Sequence, residues 1–248
     1  MKNKKNKFLV LLHLIKKGEV RLSIAYLLFI LGIRPILSAR IIQRAIVFSE
    51  KKDQEIVHFG KYIENLQLQI VFNSEIPTFY VRKIIADKLI LITQSLQKSN
   101  QFLYIHCLYR DLEEQERRFK NRVIEVRSQN QGLSEKEVED IAKKFTAKPS
   151  LLSPHVTGAA VDLCFGNNKT GKLLDYGTVI REMNSRTAFD SKELSKIQKE
   201  NRKFLRRTME KHDFVCYPGE WWHYSFGDQA WAAYHGEKYA FFGGVEKI

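Results

Sequence analysis

Three cysteines in 248 residues, none spaced as Cys-x-x-Cys, leave nothing for a disulfide framework or a cysteine-based zinc ribbon. Cys107, Cys164 and Cys216 each sit in a short apolar run of strand character. They read as buried thiols, which suits a reducing compartment or a fold that needs no disulfide. Long apolar runs are missing too. Phe8 to Ile15 and Leu22 to Ile33 both fall short of the roughly 20 residues that span a bilayer. The first has the basic lead of a weak secretory signal, but Lys16 and Lys17 follow early and no small-x-small cleavage site is close. Acids are almost absent at the start: residues 1–48 hold ten Lys or Arg and only Glu19. Much of the formal charge of +13 therefore lies in one fifth of the chain. No nucleic-acid-binding motif is interleaved with it, so no nucleic acid is expected as a partner. Basic flanks on apolar helices suit an anionic membrane surface, contacted through residues 1–40. They suit equally two ordinary helices packed on the domain with their lysines in water.

What is present is enough chain for one good core. We read residues 1–50 as a basic apolar extension and 51–248 as a single domain. Leu66, Leu68, Ile70 and Phe72 alternate with Gln67, Gln69 and Val71, the period of a strand. Val81, Ile84, Ile85, Leu89, Ile92 and Leu96 mark a helix ended by Asn100. Phe102 to Cys107 reads as a central strand, and the charged run Leu112 to Arg127 as a helix. Ser134 and Glu137 form a capping-box pattern before another helix. Ala160 to Phe165 reads as a strand, turned at residues 166–171 into a hairpin with Leu173 and Leu174. A helix from about Ser191 to Lys211, a strand at Phe214 to Tyr217 and a last strand at Tyr239 to Phe242 complete the pattern. His212 closes that helix, where the dipole favours its charged form. The class is α+β: helices on a small, mainly antiparallel sheet.

Chemistry concentrates in two short segments. Ser153-Pro154-His155-Val156-Thr157-Gly158-Ala159-Ala160-Val161-Asp162 is followed sixty residues on by Glu220-Trp221-Trp222-His223. A catalytic zinc site needs three protein ligands, a water and a nearby base. His155, Asp162 and His223 can serve as ligands and Glu220 as the base. His155 and Asp162 are too far apart for one helical turn. A bend at Gly158 into a strand would swing Asp162 back beside His155. On spacing alone, a core-edge histidine and a turn aspartate are the commoner outcome. His13, His58 and His235 have no ligand-like neighbour, and His106 is better read as strand packing.

Together the two segments resemble the zinc D-alanyl-D-alanine dipeptidases and, more broadly, the D,D-carboxypeptidases of the same superfamily. The pattern Ser-x-His-x-x-Gly-x-Ala-x-Asp, then Glu-x-Trp-His, is complete from Ser153 to Asp162 and from Glu220 to His223. The resemblance covers roughly residues 65 to 243. It implies a Zn2+ cofactor held by His155, Asp162 and His223 in a cleft of a peptidase domain, with Glu220 as catalytic base. Tyr109-Arg110 resembles the family's Gly-Tyr-Arg-Pro segment, whose arginine stabilises the oxyanion. Leu108 and Asp111 depart from it and put the local bend in question. Asp175, in Asp-Tyr-Gly-Thr, resembles the residue that holds the substrate's amino group, with Ser153 and Tyr109 as further substrate contacts. The implied partner is a short D-amino-acid peptide or peptidoglycan fragment, and the implied reaction is hydrolysis of D-alanyl-D-alanine or a similar dipeptide. Two alternatives stand beside it. One is a D,D-carboxypeptidase, which needs an open cleft and a carboxylate-binding group where a dipeptidase needs a closed acidic pocket. The other is an inactive wall- or membrane-associated binding protein.

Overall fold

Eight consecutive residues buried almost without a break, Ala160–Asn167, form the strand on which the architecture rests. The computed structural model describes residues 2–31, 33, 47–48, 55–76, 79–237, 239–245 and 248. The expected helix end at Arg34-Pro35, the polar stretch 49–54 and Pro77 lie outside them.

In chain order the helices are α1 (Lys2–Lys16), α2 (Val20–Ile30), α3 (Phe59–Tyr62), α4 (Lys83–Gln97), α5 (Leu112–Gln129), α6 (Glu135–Phe145), α7 (Lys196–Lys211) and α8 (Gln229–His235). The strands are β1 (Val47–Phe48), β2 (Ile56–His58), β3 (Ile70–Phe72), β4 (Tyr80–Arg82), β5 (Gln101–Cys107), β6 (Ala160–Asn167), β7 (Lys172–Leu173), β8 (Val215–Cys216), β9 (His223–Ser225) and β10 (Tyr239–Ala240). The main sheet runs β3-β5-β6-β9-β8, with β7 paired to β6. Within this sheet, among the described residues, β3 and β5 are parallel and the other pairs antiparallel. The α+β class and the mainly antiparallel sheet are as the sequence predicts.

Helix α4 covers one face of the sheet with Ile85, Leu89, Ile92 and Leu96, all buried, which is the stripe the periodicity marks. Asn100 ends this helical stretch with a left-handed backbone, φ 55°. Both Ser134 and Ser195 make full capping boxes, with Glu137 and Gln198. Some elements differ from expectation. Leu66 and Leu68 belong to turns after α3, since their N–H groups bond the carbonyls of Ile63 and Leu66, so only Ile70–Phe72 is strand. Residues 80–82 begin not the helix but β4, paired with β2. The last strand, β10, leaves the main sheet and pairs with β1. His212 does close α7, but burial, helped by Lys88 and Lys211 and opposed by Asp213, lowers its pKa.

Helices α1 and α2 pack on α8, with Leu11, Leu14, Tyr26 and Phe29 buried and Phe29 edge-on to Tyr234 at 5.2 Å. Phe8, Leu9, Leu12, Ile15, Ile24 and Leu27 stay exposed. Among the described residues no helix is long and apolar enough to cross a membrane.

Candidate metal centre

Three adjacent strands set Cys107, Asp162 and His223 in one row: Cys107 pairs with Asp162 across β5–β6, and Asp162 with His223 across β6–β9. Directly opposed residues share a face of the sheet. His155 reaches that face from outside the sheet. Pro154–Thr157 makes one 3-10 turn, Gly158 takes φ 70°, and the chain reverses into β6. The bend therefore lies where the sequence places it. A Cβ on Gly158 would meet only ordinary contacts, so it is the backbone angle that calls for glycine. Buried Arg82 holds the reversal. Its Nε donates to the Thr157 carbonyl at 2.9 Å and its Nη2 to that of Gly243 at 3.1 Å. Burial brings its pKa down to about 10.

The two motif segments meet. Asp162 Oδ2 lies 3.2 Å from His155 Nε2, and Oδ1 lies 2.9 Å from His223 Nδ1. The two imidazole rings are 5.0 Å apart at 74°. His155 Nδ1 is committed to the Leu108 carbonyl at 2.6 Å, which leaves Nε2 for an ion, the usual outer-shell arrangement of a metal-binding histidine. Burial by itself would lower the His155 pKa, but Asp162 outweighs it and lifts it to about 9. Burial would raise Asp162, yet the two imidazoles hold it well below the usual carboxylate range.

Glu220 sits in the β8–β9 hairpin loop, closed by the Tyr217 N–H donating to the His223 carbonyl at 3.0 Å. Ligand atoms of Asp162, Glu220 and His223 lie within 4.8 Å of one another. Desolvation, reinforced by the charge of Asp162 and opposed by His223, His155 and Arg110, leaves the Glu220 pKa raised. That suits a group that takes a proton and then gives it up. The loop is braced by Trp221, which stacks on Tyr176 at 4.3 Å and donates to Thr178 Oγ1 at 2.8 Å. Trp222 stands edge-on to Trp221 and lines the cleft.

Arg110 also lines the cleft. Its Nη1 donates to Gln115 Oε1 at 2.7 Å, its Nη2 to Cys107 Sγ at 3.5 Å, and Nη2 lies 4.0 Å from Asp162 Oδ2. Its Nε is buried with no hydrogen-bond partner. The two departures beside it are accommodated. Leu108 is buried without a left-handed backbone and supplies the carbonyl that orients His155. Asp111 caps α5, accepting from the Glu114 N–H at 2.7 Å.

Ser153 lines the cleft, its Oγ donating to the Lys148 carbonyl at 3.3 Å. Tyr109 and Asp175 are not among the residues that line it. Tyr109 turns its hydroxyl to the Val245 carbonyl at 3.2 Å. Asp175 is exposed and accepts from the Gly177 N–H and Gln198 Nε2, because the turn it starts runs along α7. Sequence reasoning missed Arg82 and Arg202, whose guanidinium groups bond backbone carbonyls and leave no sequence signature. It also read Cys107 as plain core. Burial alone would push that thiol up, but Arg110 and His155 outweigh it and bring it to about 6. Its Sγ lies within 4.8 Å of ligand atoms of His155 and Asp162.

The donors fit a zinc ion. Two imidazoles from separate elements flank one carboxylate, each on its own Asp162 oxygen, the His155 ring is oriented from behind, and one side opens to a cleft of about 980 Å³. Fold and donor set thus outline a candidate metal centre with a half-buried carboxylate beside it. The family model described as D-ala-D-ala dipeptidase matches residues 80–241, and the chain belongs to that family. A D-alanyl-D-alanine dipeptidase of Synechocystis sp. is 33% identical over 111 residues, 38% of this chain and 44% of that protein. One of Enterococcus faecalis is 33% identical over 91 residues, 37% of this chain and 44% of that protein. The match thus spans 44% of the length of these relatives. Among solved structures, VanYB in complex with D-alanine-D-alanine is 15% identical with a TM-score of 0.46, covering 77% of this chain and 90% of that one.

Proposed function

We propose that the protein is a zinc peptidase that hydrolyses D-alanyl-D-alanine or a similar short D-amino-acid peptide. The observation that carries this reading is that His155 and His223 meet the two oxygens of Asp162, with Glu220 close to Asp162 and His223, in an open cleft. His155, Asp162 and His223 would hold the ion. Zinc supplies Lewis acidity there, making a water acidic and a carbonyl electrophilic. Glu220 takes the proton of the attacking water and delivers it to the leaving amine, and its raised pKa suits both halves of that task. Arg110, which lines the cleft beside Asp162, faces the negative charge that develops on the carbonyl oxygen. Ser153 lies where a peptide backbone would pass. The test is Glu220→Gln in the zinc-loaded protein, with metal content and dipeptide turnover both measured. Zinc kept and turnover almost lost supports the role; full turnover removes Glu220 from it.

The size and openness of the cleft favour a second reading, trimming of longer stem peptides as a D,D-carboxypeptidase. The relative rates on a dipeptide and an N-blocked tripeptide separate the two. For the first two helices we propose contact with an anionic membrane surface. The support is their exposed apolar face together with the lysines of residues 2–17. Cosedimentation with anionic but not zwitterionic vesicles is the expected result; equal binding to both, or none, overturns it.

A further inference from the structure

The cleft wall is rich in arginine and lysine, and nearly all of that charge is already matched. Arg117 and Arg118 pair with Glu114, Arg122 with Glu125, and Lys143 and Lys148 with Glu139. The acids of the wall are spoken for as well. Glu125 and Asp140 are in ion pairs, while Asp162 and Glu220 belong to the metal centre. One lining cation has no ion pair among the described residues. Arg181 has no hydrogen bond or ion pair among the described residues, and it is exposed to the cleft.

Its backbone is unusual too. Arg181 takes φ 71°, a left-handed conformation that costs a non-glycine residue roughly 1–2 kcal/mol. The surrounding loop is clamped so that the strain persists. Arg202, buried in α7, donates to the carbonyls of Tyr176, Ala188 and Arg186 at 2.7–2.8 Å. A turn from Val179 to Glu182, closed by hydrogen bonds in both directions, holds the tip. The cleft walls crowd Arg181, and the like charges of Arg118 and Arg110 act on it, so its pKa is lowered and an anion placed there would relieve repulsion. No spare carboxylate among the described lining residues could receive an ammonium, and one spare guanidinium could receive a carboxylate.

We propose that Arg181 is a specificity residue that receives a carboxylate of the peptide substrate, so that the cleft prefers substrates carrying an anion there. The inference rests on the peptidase reading above and adds the charge of its substrate. That carboxylate has two possible sources: the peptide's own C-terminus, or an acidic group on the amino side of the scissile bond. Two substrate pairs separate them, D-alanyl-D-alanine free acid against its C-terminal amide, and N-succinyl- against N-acetyl-D-alanyl-D-alanine.

The expected result is that the wild-type protein favours the anionic member of at least one pair by about tenfold in kcat/KM, mostly through KM. That is the size of one charge-assisted contact. Arg181→Asn, whose side chain tolerates the left-handed backbone, should abolish that preference, and Arg181→Lys should keep part of it. Absence of any preference in both pairs overturns the proposal, as does a preference that survives in Arg181→Asn. If the wild type cleaves none of the four peptides, the peptidase reading fails and Arg181 is judged by binding. Calorimetry of the zinc-loaded Glu220→Gln protein with N-succinyl-D-alanyl-D-alanine should then show affinity that Arg181→Asn lowers about tenfold. Equal affinities, or no binding to either protein, overturn it.

Discussion

Asp162 and His223 stand opposite each other on β6 and β9, and their side chains meet at 2.9 Å. The other Asp162 oxygen faces His155, so without an ion one carboxylate bridges the two rings. The sign of the pH effect follows. His155 has its folded pKa raised to about 9, so the stabilisation it contributes is full below its unfolded value of about 6.5 and is lost as pH rises to about 9. Asp162 has a depressed pKa, so its contribution is present above about 3.9 and lost only in strong acid. Cys107, whose folded pKa lies at about 6, gains stability over the same range and opposes His155. Metal-free Cys107→Ala should therefore melt higher at pH 6 than at pH 9.5, and adding Asp162→Asn should flatten that difference. Zinc binding should release protons between these pH values, because the ion takes the place of the His155 proton. Calorimetric titration in buffers of different ionisation enthalpy measures the release; a proton count of zero would contradict the coupling.

The reversal at Gly158 is a second point of leverage. An L-residue at φ 70° pays roughly 1–2 kcal/mol, with little steric cost here. Gly158→Ala should lower stability by that amount in urea unfolding. It should also weaken zinc binding, since the angle at residue 158 sets the distance from His155 to Asp162. A variant of unchanged stability would show that the loop has another way round.

Arg82 carries a larger load than its position suggests. Its donors reach the carbonyls of Thr157 and Gly243, tying the metal loop to the C-terminal segment. Arg82→Leu leaves those acceptors without their donor in a buried place, at about 1–3 kcal/mol each where water cannot replace it. Unfolding by denaturant should show the loss. Arg82→Lys should recover little, since one ammonium cannot reproduce the fork.

Much of this was readable in advance because the informative signals are local. The capping serine Ser134, the α4 stripe, the glycine bend and the meeting of the two motif segments rest on short patterns whose physics acts within a few residues. The strand ends and the place of β10 were not readable, because pairing partners far along the chain decide them. Tyr109 and Asp175 show the limit most clearly. Their segments matched a pattern, but side-chain direction depends on Val245 and Gln198, more than twenty residues away in each case. Arg181 carried no signal either. Its interest lies in the lack of a partner, which only the assembled wall reveals.

Arg110 offers the sharpest separation of binding from chemistry. It touches Gln115 and Cys107 and stays 4.0 Å from Asp162, so its charge is close to the ligand set without neutralising it fully. If it faces the developing oxyanion, its contribution appears in the transition state and hardly in the ground state. Arg110→Ala should then lower kcat by about 10²–10³ with a small change in KM, the scale of losing one oxyanion donor. Arg110→Lys should restore only part, since the fork that also holds Gln115 is gone. Zinc content must be measured alongside, because the Arg110 backbone N–H bonds the His155 carbonyl at 3.2 Å and the side chain borders Asp162. A fall in kcat matched by loss of metal would assign Arg110 to holding the ligands; a fall with zinc intact assigns it to the reaction.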